Sequence, residues 1–205
     1  MRKPVLTRAL SRRFITGTAL LLGCCAGLQA HPIAGMSSGF SSGFLHPFSG
    51  LDHVLAMVAV GIWGMQLGKP ATWVLPVTFP LVMAVGGAMG VRGIPLPYVE
   101  TGIAASALVL GILVAFAARL PLGVAMVIVG LFAIFHGYAH GTELPHAAQP
   151  LAFGIGFVVA TGLLHLCGIS LGLASRWTAG NALLRFSGGA IAVIGVCLLM
   201  GVVAV

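Results

Sequence analysis

Acidic residues are almost missing from this chain: 3 among 205, beside 10 basic residues and 7 histidines. Charged residues of every kind make up 6%, where a soluble domain carries about 25%. So little polar surface cannot cover a water-soluble domain of this length. No HExxH motif and no nucleotide-binding loop occur. Cysteine is also scarce, at 4 residues, and Cys24 and Cys25 fall in the N-terminal apolar run. Cys167 and Cys197 sit inside apolar segments and read as small packed side chains rather than as a disulfide. What the chain has instead is apolar length, with 59% hydrophobic residues, a mean hydropathy of +1.12 and 30 glycines. That is the composition of an all-α integral membrane protein, in which small residues let helix backbones approach closely. GMQLG (Gly64 to Gly68) and GGAMG (Gly86 to Gly90) carry that small-residue spacing.

Residues 1–30 read as a cleaved signal peptide. MRKPVLTRALSRR holds half of the basic residues, FITGTALLLGCCAGL is an apolar core too short to span, and LQA precedes His31. Without that segment five basic and three acidic residues remain, a net of +2. The high isoelectric point therefore belongs to the signal peptide and does not indicate a nucleic-acid partner. Six apolar segments follow in a single transmembrane domain, 31–205, with spans near 47–67, 71–91, 98–118, 121–140, 150–174 and 183–205. Pro47, Pro97, Pro121 and Pro150 stand at or near helix starts, and Pro76 and Pro80 predict a kink in the second span.

A cleaved signal puts His31 outside a bacterial cytoplasmic (inner) membrane. Lys69, Arg119, Arg176 and Arg185 then face the cytoplasm and only Arg92 the exterior, as the positive-inside rule expects. On that topology six of the seven histidines and all three acids fall in the outer half. His136 and His140 share a helix face at i, i+4. With a straight first helix, His46 and His53 lie roughly 10 Å apart along its axis, too far to grip one ion. The expected arrangement is two tiers: His46, His140 and Glu143 outside, and Asp52, His53 and His136 within. Met57, one turn below His53, offers a soft contact. His31, Glu100 and His165 are weaker candidates, and His146 reads as a loop residue. A charged Asp52 inside an apolar segment is costly and points to a polar pathway. Imidazole and carboxylate without thiolate suit a borderline divalent transition metal, with Asp52 either a ligand or the group that orients an imidazole.

At these residues the sequence resembles the HupE/UreJ family. The likeness rests on HPFSGLDHVLAM (His46 to Met57) and FHGYAHGTELP (Phe135 to Pro145), with the signal peptide and about six spans. The Asp-His pair is also similar to the signature of the wider nickel/cobalt transporters, although five residues rather than four separate His46 from Asp52. The resemblance implies a nickel or cobalt permease that supplies a metalloenzyme such as hydrogenase or urease. On this reading the chain is a secondary transporter and not an enzyme. It carries Ni2+ or Co2+ as cargo with no prosthetic group, has lipid as its surroundings, and is open to homo-oligomerisation. An integral-membrane metal-dependent hydrolase and a haem-binding redox protein with histidine axial ligands are the alternatives.

Overall fold

The computed structural model describes residues 39–144 and 149–202. The signal segment, His31, His146 and the last three residues of the sixth expected span lie outside them. The described residues form α1 (Phe40–Leu45), a 3-10 turn (His46–Phe48), α2 (Leu51–Leu67), α3 (Ala71–Val91) and α4 (Val99–Phe116). After these come α5 (Leu122–Glu143), α6 (Pro150–Gly172), a second 3-10 turn (Leu173–Arg176) and α7 (Thr178–Leu199). Among the described residues five helices are long and apolar enough to cross a membrane, and Phe40–Phe48 with α2, bent by 81°, brings the number to six where that bent pair counts as one span. The protein is thus an all-α integral membrane bundle. Phe116, Val127, Leu151 and Phe186 point outward, and Met57, Trp63, Leu75 and Phe79 are fully buried.

The break corrects the expected straight helix over 47–67. Pro47 sits in the 3-10 turn, and Ser49 Oγ donates to His46 O at 2.6 Å. Gly50 then caps α2 with an extended backbone (φ −103°, ψ 120°). Asp52 and His53 consequently lie in the first turn of α2. There the exposed N–H groups and the positive end of the helix dipole favour a carboxylate. A Cβ on Gly50 would lie 2.6 Å from Asp52 Oδ1 and 2.8 Å from His53 Nδ1, so the break is shaped to leave these two side chains room. The helical backbone of α3 runs on through Pro76 and Pro80. Cys167 and Cys197 are half-buried and are not joined to each other.

Glycine seams fix the register of the helices that carry histidine. Along α3 and α5, a Cβ on Gly86 would strike the Ile134 carbonyl, and one on Gly137 the Met83 carbonyl. In HGYAHG the glycines thus let α5 lie backbone-to-backbone on α3, which leaves His136 and His140 on the neighbouring face. Gly61 of α2 and Gly168 of α6 pack in the same way, Gly61 against the His165 carbonyl. Gly86→Ala adds one methyl at a seam with no slack and is expected to destabilise the bundle by about 1–3 kcal/mol. A lower melting temperature of the detergent-solubilised protein would register this, and an unchanged one would show that the seam yields.

The other end of the bundle is tied by polar side chains. Trp63 Nε1 donates to Ala118 O, Gln66 Nε2 to Val114 O and Arg185 Nε to Ala115 O. Val114 and Ala115 lie in the last turn of α4 and Ala118 just beyond it, so these bonds tie the end of that helix to α2 and α7. Lys69, Arg119 and Arg176 lie in or beside the short connections at this same end.

Candidate metal site

The break between α1 and α2 swings His46 back over the end of α5. His46 Nε2 lies 3.0 Å from His140 Nδ1 and 2.9 Å from Glu143 Oε2, and His140 Nδ1 lies 3.8 Å from the same carboxylate oxygen. One ligand atom from each of these three residues falls within 4.8 Å of the others. Nitrogen and oxygen ligands at about 2.0–2.1 Å from one metal ion stand roughly 3.0–3.4 Å apart. The trio therefore needs only small side-chain movement to close on a single divalent ion. Its rim position suits capture, because His46 and Glu143 keep 29% and 57% of their side-chain surface exposed.

Directly beneath lies the second group. The His53 ring is 4.5 Å from the His140 ring and 4.6 Å from the His136 ring, centre to centre. The two tiers expected from the sequence are therefore joined through His140, which touches both. Asp52, 1% exposed, sets Oδ2 3.0 Å from His53 Nδ1. That is ion-pair distance, yet neither Asp52 oxygen makes a well-aligned hydrogen bond. Among the described residues Asp52 has no cationic partner but this imidazole. The buried carboxylate retains acceptor capacity that burial alone would penalise.

His136 is held by a residue that the motifs do not single out. Ser106 Oγ, fully buried on α4, donates to Ile103 O at 2.6 Å and lies 3.0 Å from His136 Nε2. The one hydroxyl proton is committed to the carbonyl, so Nε2–H donates to Oγ. In the neutral ring Nδ1 is then the atom with a free lone pair, and it has no partner among the described residues. A second residue that fixes the tautomer is how a ligating imidazole is usually aimed. The signal was present in GIAASALVLG as an isolated hydroxyl in an apolar span.

Aromatic rings close the sides. Phe153 and Phe157 of α6 lie 5.5 and 6.1 Å from His46, Phe157 lies 4.3 Å from His140, and Phe79 of α3 lies 5.5 Å from His136. A cavity of about 400 Å3 between α3, α5 and α6 reaches His140 past Gly141 and Phe157. Met57 is fully buried, and its carbonyl accepts from His165 Nδ1 at 2.8 Å. Glu100 is exposed in the first turn of α4 and does not belong to the capture trio.

Comparison with known proteins agrees with the two motifs. The family model described as HupE / UreJ protein matches residues 19–198. Protein HupE of Rhizobium leguminosarum bv. viciae is 47% identical over 173 residues, covering 84% of this chain and 91% of that protein. No solved structure matches the chain.

Proposed function

Because the chain belongs to the HupE/UreJ family, membrane proteins associated with nickel and cobalt transport, we propose that it is a permease that takes up one of these ions through the His/Asp cluster. The observation that carries the proposal is Asp52: a buried carboxylate at one end of a membrane bundle, whose sole ion-pair partner among the described residues is His53, itself packed on the His136 and His140 rings. An arriving divalent cation supplies the missing charge. His46, His140 and Glu143 capture it. His140 then rotates it onto His53 and His136, with Asp52 compensating its charge beneath. Nitrogen and carboxylate donors without thiolate favour borderline ions over a structural zinc held by sulfur.

Direction follows from charge. Among the described residues Lys69, Arg119, Arg176 and Arg185 gather at the end away from the cluster, and Arg92 is the one basic side chain at the cluster end. The positive-inside rule then puts the cluster on the exterior face of the cytoplasmic membrane and makes the transport an uptake. A divalent cation moving inward gains about 4.6 kcal/mol per 100 mV of membrane potential, twice the single-charge value, so the potential alone can drive it. Delivery to a nickel enzyme is the corresponding use.

The test is accumulation of nickel, cobalt, copper and zinc, measured together in cells with and without the protein. Selective gain of nickel or cobalt supports the proposal, and equal contents of all four metals would remove it. Acidity gives a second check. Protons compete with the metal for imidazole lone pairs. Uptake is expected to fall as the external medium is acidified. Rates that stay level however far the medium is acidified short of unfolding the protein would count against histidine ligands.

A further inference from the structure

His165 stands apart from the cluster, about 22 Å along α6 from its start at Pro150 and 1% exposed. Its Nδ1 lies 2.8 Å from the Met57 carbonyl. A carbonyl only accepts, so Nδ1 carries the proton and donates it, and in the neutral ring Nε2 keeps its lone pair. That nitrogen is buried with no partner among the described residues. The bond to Met57 ties α6 to α2 and accounts for one side of the ring only.

One turn away on the same face is Thr161, fully buried, with Oγ1 also unpartnered. Ser170, Ser187 and Thr78 each turn their hydroxyl back onto the carbonyl four residues earlier, the usual resort of a hydroxyl in an apolar helix. Thr161 does not. Two unused donor atoms of metal-binding type thus share one buried helix face. The Phe79 ring bridges the gap to the cluster, 5.5 Å from His136 and 5.4 Å from His165.

We propose that His165 Nε2, with Thr161 Oγ1, is an inner station for the transported divalent cation, reached from the His53/His136 tier past the Phe79 ring. This rests on the chain carrying metal inward through the outer cluster. A cation leaving His136 would otherwise cross a largely apolar mid-membrane stretch, where an uncompensated charge is most costly. The station breaks that barrier into two shorter steps.

Asparagine separates a structural His165 from a transporting one. His165→Asn sets an amide N–H where Nδ1 was, so the bond to Met57 survives, and it deletes the Nε2 ligand. The expected result is normal accumulation in the membrane, nickel binding by the purified full-length protein as tight as the parent's, and initial uptake lowered roughly tenfold or more. Parent-like uptake by His165→Asn overturns the inner station. Asp52→Asn runs beside it. If Asp52→Asn also transports like the parent, the outer-site proposal has failed; if it is inactive while His165→Asn is active, only the inner station has. Should His165→Asn not accumulate, the isosteric Thr161→Val carries the test. Uptake lowered severalfold supports the station, and unchanged uptake rejects it.

Discussion

Asp52→Asn should lower nickel and cobalt uptake by roughly tenfold to a hundredfold while the protein inserts and accumulates like the parent. The substitution keeps the shape of the side chain and removes its charge. In the folded bundle that charge lies 1% exposed and 3.0 Å from His53 Nδ1. Its loss does two things. The transported cation meets no negative charge beneath the capture trio, and His53 loses the carboxylate that orients its ring. Folding should survive, since a buried amide is cheaper in an apolar setting than an unpaired carboxylate. Uptake measured per amount of membrane protein decides the matter. His136→Ala should act in the same direction, and Glu100→Gln, at an exposed helix start, should do less. If Asp52→Asn and His136→Ala both transport like the parent, the transport site lies elsewhere.

His140→Leu is expected to be still more severe, with uptake reduced roughly a hundredfold. His140 belongs to both tiers. It gives Nδ1 to the trio with His46 and Glu143, and its ring lies against His53. Leucine fills much of the same space against Phe157, so the neighbouring wall stays packed. The variant should therefore lose binding at the rim and passage inward together, whereas Asp52→Asn retains rim binding. Equilibrium binding of nickel to the purified proteins tells the two apart. Binding by His140→Leu that equals the parent's would show that His46 and Glu143 work without it.

Much of this arrangement is visible in the residues, because it depends on local spacing. The apolar runs mark the spans. His136 and His140 share a face because they are four apart, and Asp52–His53 is conspicuous where charge is costly. The outer tier of His46, His140 and Glu143 was expected from depth along the helices, but the bend that brings His46 onto His140 was not visible. His46 and His140 are 94 residues apart, and they meet only because the chain breaks at Ser49–Gly50. In a sequence with 30 glycines, one more glycine gives no warning of an 81° bend. A straight helix keeps His46 away from the inner tier, and the bend folds it over. Ser106 and Thr161 escaped for a related reason. A lone hydroxyl in an apolar helix usually bonds to its own backbone, and only the packed bundle shows which ones face a histidine.

The most direct measurement is the initial rate of nickel and cobalt entry into proteoliposomes that contain this protein alone, with an inside-negative potential imposed. The account predicts entry well above protein-free vesicles, faster as the potential rises, and lost in Asp52→Asn and His140→Leu. Entry no faster than in protein-free vesicles, or equal in the parent and both variants, would contradict it.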